Sequence, residues 1–407
     1  MHRIDYDAVL SETVVEQAEA QAKTILSDLI RRGGSDIHFN PLPDGRVEIL
    51  FRVNGVLEKY GEVPVRFYRY IESWIKGRSG IPKQEKRNWD GRLDFICDDE
   101  KCSFRVATSW SSVGEASKIT LRLLPSDLES LNLASLGFLP EDLRVLDTVL
   151  DASRGIALIS GPTGSGKTTT LYASILSVRE RRHVITIEDP VEAPISGVTQ
   201  LEVREGVATF ADHLKASLRH DPDVIVIGEI RDETSARIAV SASLSGHLVF
   251  GTVHANTALA AITRMADLDA DLYNLSFSLR MSLAQRLLPR LCPYCIELKP
   301  LDQETASIFS RLGGDPSLLP ELVPEPAGCQ ECNHRGVTGR VMVYEMLTFD
   351  EEDRERIYHT FKNHLPLERE MAGHFRRKYG TPFLLENALR LLRENTVSLR
   401  NVMKYCF

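Results

Sequence analysis

Gly161-Pro162-Thr163-Gly164-Ser165-Gly166-Lys167-Thr168 fits the pattern G-x-x-x-x-G-K-[ST] without departure, and it lies between an apolar run, Gly155 to Ser160, and a helix-like stretch from Thr169. Strand, glycine-rich loop and helix in that order restrict the chain to an α/β unit with its loop at a strand's carboxyl end. Its glycines let backbone N–H groups turn inward around phosphates. Lys167 adds a point charge near the β and γ groups, and the Thr168 hydroxyl can ligate Mg²⁺. The pattern predicts a bound nucleoside triphosphate on residues 161 to 169.

Length and charge narrow the job done with that nucleotide. At 407 residues the chain exceeds the usual size of one core, so two or three domains are expected. The net charge is −8, without the broad basic footprint of a nucleic-acid binder. Apolar runs such as Asp223 to Gly228 are strand-sized and too short to cross a bilayer. The start, Met1-His-Arg-Ile-Asp-Tyr-Asp, has neither a basic nor an apolar leader region, which predicts a cytoplasmic protein.

Four of the seven cysteines form two Cys-x-x-Cys pairs, Cys292/Cys295 and Cys329/Cys332. In a reducing compartment such pairs suggest metal rather than disulfides. Two tight turns with two thiolates each complete a tetrahedron closed to water, which favours structural Zn²⁺ over reduced, packed cysteines. The stretch between the pairs exceeds compact ribbon spacing, so a small subdomain is expected there. Cys97 and Cys102 flank a turn-like tetrapeptide and are expected to pack across a hairpin.

The organisation follows from periodicity. From Ser11 to Arg32 apolar residues recur at helical spacing, with Gly33-Gly34 as the stop. Short alternating segments follow at 36–39, 46–53, 92–97, 101–108 and 117–124, predicting a small mixed α/β domain. The expected divisions are an N-terminal helix (1–34), an α/β domain (35–125), a linker (126–140), a nucleotide-binding domain (141–290), a tetracysteine subdomain (291–349) and a helical C-terminal domain (350–407). Within the nucleotide-binding domain the strands predicted at 155–160, 183–188, 223–228 and 247–253 each end in polar or charged residues. In an open α/β sheet, ligands bind at those carboxyl ends.

Hydrolysis of a triphosphate needs Mg²⁺, an oriented water and positive charge on the phosphate oxygens. Glu229, closing an apolar strand, is the candidate for polarising water. Glu188 and Asp189 are candidates to hold Mg²⁺ through its water shell or to assist Glu229. His254 is placed to sense the γ-phosphate, although either it or His247 has a plain structural alternative. Arg231 and Arg219 are expected to pair with the same carboxylates.

These residues form an ordered set. The phosphate loop, the acidic box Ile185-Thr-Ile-Glu-Asp-Pro-Val-Glu192, the segment Leu218 to Asp232 and the histidine box Gly246 to His254 resemble the secretion ATPases that drive assembly of type II secretion pseudopili, type IV pili and competence pili. Ser35-Asp-Ile-His38 and Arg52-Val-Asn-Gly55 are similar to the start of that family's N-terminal domain, and the paired cysteines match its assembly-type branch. The resemblance implies a RecA-like ATPase core preceded by a small mixed α/β, PAS-like domain, with a tetracysteine zinc subdomain and a helical C-terminal tail. It implies a homo-hexamer that uses ATP and Mg²⁺, binds nucleotide between its two large domains and carries Zn²⁺. The implied partner is a polytopic inner-membrane platform protein, with an indirect link to pilins, no direct nucleic-acid contact and peripheral association with the cytoplasmic membrane.

Family arginines that reach the triphosphate correspond to Arg105 and Arg122, with Arg92 a weaker third. The chain departs from the family at Ser109-Trp110-Ser111-Ser112, where a Pro-Thr pair is usual, and at Asn40, where Glu is common. The short N-terminal region points to the competence subgroup. A RecA-like nucleic-acid motor, a type IV secretion-like traffic ATPase and a non-hydrolysing scaffold are the competing classes; the presence of both Lys167 and Glu229 counts against the last.

Overall fold

The computed structural model describes residues 12–82, 88–112, 116–124, 131–203, 206–380 and 383–407. The chain divides into two compact units, Met1–Asp127 and Leu128–Phe407.

The smaller unit opens with helix α1 (Glu12–Arg31), followed by strands β1 (Gly34–Pro41), β2 (Arg46–Val53) and β3 (Val56–Pro64), helix α2 (Val65–Arg78), and strands β4 (Trp89–Cys97), β5 (Glu100–Ser111) and β6 (Ala116–Leu124). The strands form one antiparallel sheet in the order β3-β2-β1-β6-β5-β4. Apolar residues alternate along it, and Ile37, Phe39, Phe104, Val106 and Leu121 pack under Ile25 and Leu29 of α1 and Tyr68 and Ile71 of α2. Period-two alternation is what a sheet buried on one face requires.

A second row runs across this sheet. Arg52, Asp36, Arg122, Arg105 and Arg92 are successive cross-strand partners on β2, β1, β6, β5 and β4, and directly opposed residues share a face. Strand β3 and helix α2 have no counterpart in the sequence-predicted elements. β3 lies at the sheet edge with little burial, so its pattern of charged and small residues lacks a clean alternation. Cys97 and Cys102 are buried free thiols, as expected for packing.

The larger unit contains α3 (Pro140–Leu150), β7 (Gly155–Ser160), α4 (Lys167–Val178), β8 (Val184–Glu188), β9 (Thr199–Glu202), α5 (Phe210–Ser217), β10 (Val224–Ile227), α6 (Glu233–Leu244), β11 (Leu248–Val253), α7 (Ala258–Asp267), α8 (Leu272–Ser278) and β12 (Leu279–Leu291). After these come β13 (Ile296–Pro300), α9 (Gln303–Arg311), β14 (Leu322–Pro326), β15 (Val337–Thr348) and helices α10 (Glu351–Lys362), α11 (Leu367–Tyr379), α12 (Leu384–Arg393) and α13 (Leu399–Cys406). Seven strands form one sheet in the order β15-β12-β7-β11-β10-β8-β9. All its pairs are parallel except β12 with β15. Every residue of β7, β8, β10 and β11 is buried, as parallel strands covered on both faces must be.

Three expected divisions change. The linker's start, 125–130, lies outside the described residues, and its remainder is partly core: Leu133 and Phe138 are buried against Leu146 and Tyr344. The cysteine subdomain is narrower than 291–349, because 337–348 is a strand of the main sheet paired along its length with β12. What lies between β12 and β15 is an insertion of β13, α9, β14 and the cysteine turns. The C-terminal helices are not a separate tail. Ile357, Met371 and Phe375 join the core of the parallel sheet, and Ala388, Leu392 and Val402 pack on Leu288 and Val343. Buried Glu345 on β15 fastens them, its two oxygens accepting the backbone N–H of Ala258 at 2.5 Å and of Leu384 at 2.9 Å. Those amides open α7 and α12, whose positive ends favour a carboxylate.

Candidate functional site: a phosphate loop and the strand ends beside it

Gly161, Gly164 and Gly166 adopt φ of 146°, 79° and 92°, a region that L side chains avoid. Space is as restrictive as conformation. A Cβ on Gly161 would lie 2.5 Å from Gln285 O and from Ser165 Oγ, and one on Gly166 would lie 3.0 Å from Gln285 Nε2. Lys167 begins α4 with its Nζ donating to Gly161 O at 2.8 Å and Pro162 O at 3.2 Å. Burial lowers the Lys167 pKa, against the opposing pull of the Glu229 charge. Thr168 Oγ1 lies 3.5 Å from Glu192 Oε1. Ser165 Oγ is buried and has no hydrogen-bond partner among the described residues. An unpaired buried hydroxyl inside a glycine loop, with a lysine at its edge, fits a phosphate oxygen.

Glu229 follows β10, and the structure brings it together with two other predicted residues. Its Oε1 is 3.1 Å from His254 Nε2, and its Oε2 accepts from Arg231 Nη2 at 2.7 Å. Arg231 reaches Asp189 through Nη1 at 3.4 Å. Burial raises the Glu229 carboxyl, yet the Arg231 hydrogen bond and the charges of Arg231, His254 and Lys167 outweigh it and hold the pKa below the usual value. Among the described residues Arg219 makes no such pair. His247 is structural, its Nδ1 lying 3.1 Å from Ala242 O at the end of α6.

Glu188 is placed differently from Glu229. It is 6 % exposed. Oε2 accepts from Tyr172 OH, while Oε1 accepts from Thr186 Oγ1 at 2.6 Å and Gln200 Nε2 at 3.0 Å. Three neutral donors already hold this carboxylate, which makes it a buried hydrogen-bond hub. Sequence reasoning passed over Tyr172 and Gln285. The one reads as an ordinary helix residue, and the other lies on a strand absent from the expected set. Gln285 bridges the loop and its helix: Nε2 donates to Ser165 O at 2.8 Å and Oε1 accepts from Thr170 Oγ1 at 2.9 Å.

In the smaller unit the arginines are ion-paired. Arg122 Nε lies 2.8 Å from Asp36 Oδ1, Arg105 Nη2 lies 3.4 Å from Asp90 Oδ1, and Arg92 Nε lies 3.3 Å from Asp94 Oδ1.

At the far end of β12 the four cysteines converge. Their sulfurs all lie within 4.8 Å of one another, with Cys292–Cys329, Cys295–Cys332 and Cys329–Cys332 at 3.9, 3.8 and 3.8 Å. Four thiolates about 2.3 Å from one tetrahedral ion would be spaced at roughly 3.8 Å. Backbone N–H groups of Cys329 and Gly336 donate to Cys332 Sγ at 3.2 and 3.1 Å and draw its pKa down to about 6. Desolvation pushes Cys295 up to about 12. The donor set and its spacing fit a tetrahedral metal ion.

No helix among the described residues is long and apolar enough to cross a membrane. The family model described as "Type II/IV secretion system protein" matches residues 12–404. "Type II secretion system protein E" of Pseudomonas aeruginosa is 39 % identical over 383 residues, covering 93 % of this chain and 74 % of the relative. "Type IV pilus assembly ATPase PilB" of Myxococcus xanthus is 37 % identical over 331 residues, covering 80 % and 57 %. Among solved structures, the pilus retraction motor PilT with bound ADP aligns at a TM-score of 0.62 and 25 % identity, covering 94 % of this chain and 96 % of that one. These names do not bear on the competence subgroup. On the match over residues 12–404 and these identities, the chain belongs to the type II/IV secretion system protein family and is an ATPase.

Proposed function

We infer that the protein is an ATP-hydrolysing motor that powers assembly of a pilus or pseudopilus, acting as a homo-hexamer on a polytopic inner-membrane platform protein at the cytoplasmic face. The observation that carries this reading is the meeting of Glu229, His254 and Arg231 at the ends of β10 and β11, within electrostatic reach of Lys167. A carboxylate kept ionised there can orient a water and accept its proton. His254, on the neighbouring strand, is the proposed sensor of the γ-phosphate.

Lys167 and the loop amides of 161–169 bind the β and γ groups. Thr168, with Glu192 beside it, would hold Mg²⁺, which supplies neutralising charge on the phosphate oxygens. Glu188 supports the site by holding Tyr172 of α4 against β8. Arg105 and Arg122 are proposed to add positive charge to the transferring phosphoryl group. Zinc on the four cysteines would be structural, because four protein ligands leave no open position.

The test is ATP turnover by the purified chain, with and without DNA. A filament-assembly motor should hydrolyse ATP at a rate that DNA leaves unchanged. Severalfold stimulation by DNA would transfer the chain to the nucleic-acid motors.

A further inference from the structure

Strand β12 holds two adjacent polar side chains that the roles above leave unused. Gln285 is 1 % exposed and Arg286 is 7 % exposed. Successive side chains of a strand leave on opposite faces, so the pair reaches to both sides of the sheet. On one side the Gln285 amide spans the loop and its helix through Ser165 O and Thr170 Oγ1. On the other, Arg286 Nη2 donates to Asn256 O at 2.9 Å and to Asn256 Oδ1 at 3.3 Å, while Nη1 donates to Gln285 O at 3.1 Å. Asn256 lies two residues after His254 and directly before Thr257, whose side chain caps α7.

We propose that Gln285 and Arg286 are positioning residues that divide the nucleotide site between them, Gln285 setting the phosphate loop and Arg286 setting the loop that carries His254. This rests on the reading of the chain as an ATPase. In a trans peptide the carbonyl and the following N–H point in opposite directions. Tying Ser165 O to β12 therefore turns the Gly166 N–H away from β12, and Gln285 fixes the aim of one of the loop amides. The amide suits the site because it offers one donor and one acceptor on separate atoms, Nε2 for Ser165 O and Oε1 for Thr170 Oγ1. Arg286 acts at the other end of the triphosphate. Its planar fork ties Asn256, through Nη2, to the Gln285 carbonyl of β12, through Nη1, which fixes the turn from which His254 reaches Glu229.

The two roles separate in kinetics. The phosphate loop grips ATP and ADP alike, so its loss weakens both; a misplaced histidine matters chiefly in the transition state. Gln285→Met, similar in size and without polar hydrogens, should weaken ADP and ATP binding about tenfold each and leave kcat at saturating ATP within about threefold. Arg286→Lys keeps the charge and loses the fork; it should leave ADP affinity unchanged and lower kcat about tenfold or more. Calorimetric nucleotide binding, steady-state turnover and melting temperature are measured on the same full-length samples. If Gln285→Met does not fold, Gln285→Glu keeps the acceptor, removes the donor and carries the same expectation. Both variants melting lower with parental affinity and parental kcat per folded molecule would overturn the proposal, as would both substitutions shifting the same parameter. A parent chain that binds no nucleotide would overturn the ATPase reading and this division together.

Discussion

The two sheets place charge in opposite ways. In the parallel sheet the central strands β7, β8, β10 and β11 are mostly apolar and the chemistry stands at their carboxyl ends, in the loops that follow them. In the antiparallel sheet it runs across the strands themselves, where Arg52, Asp36, Arg122, Arg105 and Arg92 stand in register on one face. Burial explains the difference. A strand covered on both faces carries a polar group along its length only where buried partners satisfy it, as they do Gln285 and Arg286, whereas one covered on a single face can carry them at every second residue. The first arrangement builds a point-like site, and the second builds a charged surface.

The strongest expected effect extends the strand-end principle to the cysteine insertion, which leaves β12 at the same sheet edge. Elemental analysis should find one zinc per chain, and Cys329→Ser should lose it and unfold the insertion, since structural zinc contributes on the order of 10 kcal/mol to small metal-dependent folds. Zinc-free protein prepared without chelator would contradict this. Next, Lys167→Ala removes the only lysine of the phosphate loop and should lose nucleotide binding and more than about a thousandfold in turnover. Retained affinity for ADP would show that the strand-end site is not where nucleotide binds.

Arg105→Ala and Arg122→Ala test the other sheet. Both should keep ATP affinity and lose about a hundredfold in turnover, as removal of a charge matched to the transition state does. Their stabilities should differ. The Arg105–Asp90 pair is exposed on both sides, so its loss costs between 0 and about 1 kcal/mol. Arg122 leaves Asp36, whose side chain is only 5 % exposed, with Arg52 at 3.7 Å and Ser35, and should cost about 1 to 2 kcal/mol. Lower melting with normal turnover in both would reduce the row to ion pairing within the sheet.

The smallest effect concerns pH. The Glu229 carboxyl sits below its usual pKa, so it stays ionised and turnover persists as pH falls through the ordinary carboxylate range. Arg231→Ala removes the leading cause of that lowering and leaves burial to act in the opposite sense. The acid limb of the kcat profile should then move to higher pH. The stabilising share of Glu229 follows the same sign: it is present above the unfolded-state pKa and is lost as pH falls through the lower folded value. An unmoved acid limb would separate Glu229 from the catalytic step.

Much of this was legible in the sequence because it is local. The phosphate loop, Glu229 and His254 each adjoin a short apolar run, so their positions follow from strand ends alone. What escaped depends on pairing at a distance. Gln285 acquires its role only because β12 lies beside β7, and β15 joins the sheet only after the whole cysteine insertion has been traversed. Glu188 has the same strand-end setting as Glu229; the donors that occupy it, Tyr172 and Gln200, come from α4 and β9. The C-terminal helices read as a tail because their sequence shows an amphipathic face and not what covers it.

The central claim is that Glu229 is the catalytic carboxylate of an ATPase, and Glu229→Gln tests it most directly because the amide keeps the shape and removes the charge. ATP affinity and single-turnover hydrolysis are measured on the variant and the parent side by side. Unchanged or tighter ATP binding, with hydrolysis lowered by about a hundredfold or more, is the predicted result. Equal hydrolysis in the two proteins would contradict the account.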